Sequence, residues 1–420
     1  MQRYRGIVDN TAYHQRTLPG KIVLKPLLLS HFTATSCIGR GLDQTLDALR
    51  HGRSGLAPCT FETVELITFI GVVEGLDDVC IPPHLAAFDC RNNRLAQIAF
   101  TQDNFAIAVH DAAEKYGHQR IGVFIGTSTS GILETELAYR RRDPVTGTLP
   151  GDFHYSTQHN TFSVADFTRQ YFGLTGPAVA VSSACSSSAK VFSSARRMMA
   201  AGLIDAAVVG GVDTLCLTTL YGFNSLGLTA TQACRPYDTT RDGISIGEAG
   251  AFALLEHAPE QLDDHAVLLL GVGESSDAYH MSSPHPEGLG ARMAMQAALD
   301  MAGLVPQDID YINLHGTATP SNDAAEGKAI AALFGAMTPC SSTKGATGHT
   351  LGAAGGVEAI ICALALQNDL LPAGLNTRQL DPAIPLNYLL ANRTQAITRV
   401  MSNSFGFGGT NCSLIFGRAK

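Results

Sequence analysis

The hydrophobic positions of this chain fall into short continuous runs set between longer amphipathic stretches. Ile121 to Gly126, Pro177 to Val181 and Ala206 to Val212 are apolar at successive positions, as strands covered on both faces are. Ala251 to Glu256, Val267 to Val272, Ile309 to Leu314 and Cys412 to Phe416 repeat the pattern. Val23 to Leu29 predicts a further strand with Pro26 at its edge or start. Asp43 to Leu49 predicts a short helix, Leu95 to Tyr116 one long amphipathic helix, and Met293 to Ala302 another. Strands alternating with helices predict a layered α/β body with largely parallel sheets.

Two stretches resemble each other. A buried strand leads through Ser183-Ala184-Cys185 into a helix that runs to Met199 and stops at Gly202. Later, Ser342-Thr343-Lys344 precedes a second helix built of small residues that ends near Leu366. The closing strands at Ala251 and Cys412 match in the same way, so the chain reads as an internal duplication. Both central helices carry Ala, Gly and Ser all round, which predicts burial between two sheets. Residues 1–20 show no periodicity.

Composition narrows the function. Of 420 residues, 45% are hydrophobic and only 16% are charged, which indicates a well-buried globular protein. The net charge of -8 argues against a nucleic-acid surface. The ten cysteines form no C-x-x-C pair and sit in apolar stretches, so they read as reduced thiols. The N-terminus lacks the apolar core of a secretory signal, and no apolar run approaches the roughly 20 residues of a membrane span. A cytoplasmic location is the expectation.

Cys185 is the leading candidate for chemistry. It sits between a strand and a helix start, where free N–H groups and the helix dipole favour a thiolate, and its neighbours are small enough for close approach. The alternative is a buried structural cysteine. His315 ends a strand in His315-Gly316-Thr317-Ala318-Thr319, a place where α/β folds gather active groups. The alternative there is a histidine hydrogen-bonded at a strand end. Lys344 and His349 lie together amid glycine and alanine and should face a cavity, a partner or a buried ion pair. Asp323 and Glu326, on the helix after His315, are candidate partners for Lys344. Ser404 to Asn411 is a glycine-rich turn without the Lys-Ser/Thr of a phosphate loop. It reads as a hairpin turn or as backbone N–H groups around a mobile Phe407. A zinc site from Cys185, His315 and His349 is disfavoured, because such sites usually keep two ligands close in sequence.

Taken in order, Ser183-Ala184-Cys185-Ser186-Ser187, His315-Gly316-Thr317, Lys344 to His349 and Gly406 to Asn411 resemble the β-ketoacyl-acyl-carrier-protein synthases. These are the elongating condensing enzymes of the thiolase superfamily. Arg235-Pro236-Tyr237-Asp238, Arg241-Asp242-Gly243 and Ser276 to Met281 add to the resemblance. It implies a thiolase-like five-layer αβαβα fold of two duplicated halves, here 27–265 and 266–420 after an extension at 1–26. It implies catalytic roles for Cys185, His315, His349, Lys344 and Glu326, and an oxyanion hole from the N–H groups of Cys185 and Phe407. Thr317, Thr319, Phe407 and Gly408 would contact the substrate, with no metal. No cofactor is implied beyond the phosphopantetheine arm that an acyl carrier protein delivers.

The implied reaction is decarboxylative condensation of malonyl-carrier with an acyl group on Cys185, in a homodimer or in a heterodimer with a related subunit. Phe407 stands where thiolases place a second cysteine, and His349 where initiating synthases place Asn. Segments 56–94 and 137–165 depart from the family pattern. The serine-rich helix start and Leu215 to Tyr221 look closer to synthases of aryl-polyene and other specialised clusters. The other readings are a pocket-shaping partner subunit and a cysteine acyl-hydrolase. Arg140-Arg141-Arg142, the densest basic run, is either a carrier contact or a solvated helix end.

Overall fold

The computed structural model describes residues 25–419. Most of the predicted extension, and the first residues of the strand predicted from Val23, lie outside that range. Ten strands carry the architecture. The first half holds β1 (Leu27–Ser36), β2 (Ile121–Gly126), β3 (Ala178–Val181), β4 (Ala206–Asp213) and β5 (Ala249–His257). The second holds β6 (Val267–Ser276), β7 (Tyr311–Asn313), β8 (Pro339–Ser341), β9 (Arg399–Gly406) and β10 (Thr410–Arg418).

The duplication is visible in the hydrogen bonding. Strands run in the order β3-β2-β4-β5-β1 in one half and β8-β7-β9-β10-β6 in the other. In each half the first two pairings are parallel and the last two antiparallel, so the sheets are mixed and not largely parallel as expected. Even the irregularities correspond: β1 slips register between Leu29 and His31, and β6 between Leu269 and Gly271. The halves meet where Leu27–Leu29 pairs antiparallel with Val267–Leu269.

Alternation of side chains across each strand builds the layers. In β4, Ala207 and Val209 join a central core, while Ala206, Val208 and Val212 join an outer one. In β10, Cys412, Leu414 and Phe416 face the same central core, and Ile415 faces a third cluster on the far side. Nine helices matter here: α1 (Arg91–Phe100), α2 (Phe105–Tyr116), α3 (Ile132–Arg140), α4 (Ser163–Tyr171), α5 (Ser187–Ala200), α6 (Leu217–Ser225), α7 (Leu289–Ala302), α8 (Pro320–Phe334) and α9 (Ala354–Asn368). The central layer is α5 against α9, between the two sheets. Helices α1, α2 and α4 cover the outer face of the first sheet, and α7 and α8 that of the second. The fold is the thiolase-like one.

Two further expectations need correction. The single helix predicted from Leu95 to Tyr116 is broken into α1 and α2, because Asp103 and Asn104 adopt φ of 54° and 57°. The Asp103 carboxylate is held there by the Leu42 N–H (3.1 Å) and the Thr33 hydroxyl (2.7 Å), a tertiary bond that outweighs helix continuity. Second, the stretch Leu351–Asn368 is long and apolar enough to cross a membrane, but 89% of it is buried inside the protein. It is the core helix α9 and its lead-in turn, closed off by protein on every side.

Candidate active site

Cys185 occupies a tight corner between β3 and α5. Ala184 takes φ of +51°, an uncommon conformation for a residue with a side chain, and turns the chain so that Cys185 faces inward. Ser187 secures the corner: its hydroxyl donates to the Ala184 carbonyl (2.6 Å) and accepts from the Ser183 N–H (2.9 Å). Small residues are required because α5 passes close under the neighbouring strand. A methyl on Gly126 would stand 2.3 Å from the Ser188 nitrogen.

The second half supplies two histidines. His315 follows β7, and its backbone N–H donates to Glu326 (2.8 Å), as does that of Gly316 (2.8 Å). Gly316 has φ of +34°, and a side chain there would meet Ser342 Cβ at 2.5 Å. His349 is fixed through its backbone, donating to the Ser245 carbonyl (2.7 Å) and accepting from the Gly247 N–H (3.0 Å). The two rings meet edge-on with centroids 5.4 Å apart. His349 Nε2 is 2.9 Å from Cys185 Sγ. One ligand atom from each of Cys185, His315 and His349 fits within a 4.8 Å cluster, and all three residues are buried. Residues from three distant stretches of sequence thus meet at one point.

Lys344 sets the electrostatics. Its ammonium lies 3.4 Å from His315 Nδ1 and donates to the His315 carbonyl (2.5 Å). A cation at Nδ1 forces that nitrogen to accept, so the proton sits on Nε2. His349 Nδ1 has no partner, and a bare lone pair there is less costly than a stranded N–H. Both rings therefore present Nε2–H to the cluster. Burial and the Lys344 charge hold both far below the ordinary histidine range, and hence neutral. The same charge beside His315 opposes a metal cation at the cluster.

Two sequence expectations change. The ion-pair partner of Lys344 is Glu358, on α9, rather than Asp323 or Glu326. Asp323 accepts from the Tyr237 N–H (2.8 Å) and faces Arg241, while Glu326 binds the backbone under His315 and the Tyr237 hydroxyl (3.0 Å). The helix α8 points both carboxylates at that turn, out of reach of the ammonium. A lone Glu within the apolar run Val357-Glu358-Ala359-Ile360 was the available signal for Glu358. Second, the helix start does not by itself yield a thiolate. Burial pushes the Cys185 thiol up to about 11, against the opposing pull of the Lys344 ammonium and of the Phe407 N–H directed at the sulfur.

A cavity leads from the surface to the cluster. Thr317, Thr319, Phe405 and Phe407 line it together with Cys185 and both histidines. The Thr317 and Thr319 hydroxyls bond each other (2.9 Å) along its wall. Phe407 caps the β9–β10 hairpin, half-buried, its ring 5.6 Å from that of Phe223. Gly408 is exposed, turns at φ of +77° with open space where a side chain would be, and gives its N–H to the Met281 carbonyl (2.8 Å). It does not line the cavity. The loop is a hairpin turn that carries Phe407 on the cavity wall.

A thiol, two neutral donors and a narrow apolar approach in a thiolase-like fold define a condensing enzyme. The chain belongs to the β-ketoacyl synthase family. The model of the family's N-terminal domain matches residues 32–261 and that of its C-terminal domain 266–378. The chain is 34% identical to 3-oxoacyl-[acyl-carrier-protein] synthase 2 of Vibrio cholerae over 415 residues, covering 91% of this chain and 96% of that protein. It is 40% identical over 263 residues to the mitochondrial 3-oxoacyl-[acyl-carrier-protein] synthase of Arabidopsis thaliana, covering 58% and 57%. Among solved structures it is similar to the ketosynthase ApeO in complex with its chain length factor ApeC from Xenorhabdus doucetiae. That match is 38% identical with a TM-score of 0.86, covering 96% of this chain and all of the other. The ishigamide ketosynthase/chain length factor is 26% identical with a TM-score of 0.85, covering 94% and 100%.

Proposed function

We propose that this chain elongates a carrier-bound acyl chain by two carbons, with Cys185 as nucleophile. The observation that carries the reading is the meeting of Cys185, His315 and His349 within 4.8 Å at the end of one cavity. Cys185 attacks the acyl thioester; the thiol proton leaves with the carrier's pantetheine sulfur, and the acyl group stays on Cys185. The N–H groups of Cys185 and Phe407 hold the oxyanion. Malonyl-carrier then enters past Thr317 and Thr319. The Nε2–H groups of His315 and His349 bind its thioester oxygen as carbon dioxide departs and an enolate forms. The enolate carbon attacks the acyl carbonyl, and Cys185 leaves as a thiolate next to the Lys344 charge and the Phe407 N–H. Protonation restores the thiol. Glu326 and Lys344 fix the backbone and tautomer of His315. The phosphopantetheine arm comes with the carrier.

β3 is the last strand at its end of the sheet and carries the exposed Val179, so its free edge supports a dimer through that strand. We read this chain as the catalytic subunit, of the specialised-metabolite type, working in the cytoplasm with its ten cysteines free. A related non-catalytic chain as partner is supported by the two ketosynthase/chain-length-factor neighbours. The test is to mix purified protein with acyl- and malonyl-carriers, alone and with such a chain. A β-ketoacyl product from the protein alone supports a self-sufficient enzyme, and product only with the second chain supports the heterodimer. Release of free acid would make it a hydrolase and overturn the reading.

A further inference from the structure

Three Lys and Arg residues among those described are buried as whole residues, and two of them are paired with buried carboxylates: Arg91 with Glu248 and Lys344 with Glu358. The third, Arg196 on α5, is 4% exposed and has no carboxylate partner among the described residues. Its Nη2 has no hydrogen-bond partner, and its Nη1 lies against the Met301 sulfur. The Val272 backbone N–H is aimed at the same sulfur, at 3.4 Å. A thioether is a weak acceptor, and here it receives one cationic and one neutral donor. An uncompensated buried guanidinium is costly, so this arrangement calls for an anion.

The surroundings say which kind. Arg196, Val272 and Met301 line a groove on the molecular surface, with Ala200 and Ala297 as apolar wall. Glu274, also on the wall, is already committed to the Ser193 hydroxyl (2.7 Å), to Arg197 (2.8 Å) and to Lys190 (3.7 Å). Arg196 and Arg197 against this one carboxylate leave the groove wall locally positive on a protein of net charge -8. Met301 is 39% exposed at the end of α7 and unbranched, so it can swing away. The groove lies on α5 about 14 Å beyond the first residue of that helix, away from the Cys185 end.

We propose that this groove binds the carboxylate of a short apolar acid, which displaces the Met301 thioether and accepts from the Arg196 guanidinium and the Val272 N–H. The apolar wall takes the tail. Octanoate is the probe, added to the full chain and followed by isothermal titration calorimetry, with acetate and inorganic phosphate as comparisons. Arg196→Met should remove one octanoate site per chain, with affinity there at least tenfold weaker. Met301→Ala, which uncovers the donors, should tighten the same site several-fold. Acetate should bind at least tenfold more weakly than octanoate. Condensation activity without added acid should stay unchanged in both variants, which separates this site from the Cys185 cavity and shows that each variant folds. Octanoate binding that neither variant alters would overturn the proposal. So would phosphate binding at Arg196 without octanoate binding.

Discussion

The two halves share a strand order, a pairing pattern and a bulge, yet they treat the junction between strand and central helix differently. In the first half the link from β3 to α5 is five residues, and its corner holds Cys185. In the second half the link from β8 to α9 runs from Ser342 to Ala353 and contains a short helix, Lys344–Thr347, a turn, and His349. The short junction presents one side chain from a strained corner. The long one has room to bring a cation and an imidazole across to it. The central helices differ as well. Helix α9 is buried at every position from Ala354 to Leu366, whereas α5 exposes Arg197. A duplicated scaffold thus places two equivalent sites face to face, and insertion in one copy turns symmetry into a nucleophile and its electrophilic partners.

Removing the short junction's contribution should have the largest effect. Cys185→Ala should abolish acyl loading and condensation, a loss of roughly 10⁴-fold, while malonyl decarboxylation persists on the two histidines. An alanine variant that still condenses would show that the halves do not divide the work this way. Removing the long junction's contribution should do the reverse. His349→Ala, and His315→Ala with it, should lower decarboxylation about 100-fold or more and spare acyl loading. Because both rings are already neutral, they should add no step of their own to wild-type decarboxylation between pH 8 and 6.5, where the one buried group of the site that titrates is Glu358, pushed up to about 7 by burial; a step near 6.5 that persists in Glu358→Gln would contradict the assigned donors.

The hairpin that joins the halves' chemistry comes next. Phe407→Ala should raise malonyl decarboxylation in the absence of an acyl primer, measured as carbon dioxide released per product formed. Its stability cost should fall short of the roughly 3–5 kcal/mol of a fully buried Phe, because the ring is half-exposed. Unchanged coupling would make Phe407 a packing residue only.

Tyr237→Phe is a smaller perturbation. It takes one donor from Glu326, which is buried without a cation and already raised by burial. Loss of a donor raises that carboxyl further, so the acidic limb of the decarboxylation profile should move to higher pH with a few-fold loss in rate. An unmoved limb would remove Tyr237 from the positioning of His315. The least effect is expected at the basic run, since Arg140 pairs with Glu62 and Arg141 with Asp152. Charge reversal of Arg140 to Arg142 should raise KM for carrier substrates modestly and weaken its salt dependence; an unchanged KM would place carrier docking elsewhere.

The strands were legible in the sequence because strands covered on both faces are continuous apolar runs whichever way their neighbours point, and the duplication because its small-residue helices look alike. Cys185, His315, His349 and Lys344 stood out because polar groups amid glycine and alanine have no local reason to be there. Glu358 escaped because its partner is tertiary, and Asp103 broke a predicted helix for the same reason. Tyr237 entered only as part of a motif, since nothing local marks a phenol that holds Glu326. The balance at Cys185 was also out of reach: the helix start was visible, but the burial that raises the thiol depends on the second sheet closing over it.

The most direct test of the division of labour is intact-protein and peptide mass spectrometry of the enzyme after incubation with a panel of acyl-carriers. A single acyl adduct is expected on the peptide bearing Cys185, stable until malonyl-carrier is added and then discharged as β-ketoacyl-carrier. An adduct on another residue, or discharge of the acyl group as free acid, would contradict it.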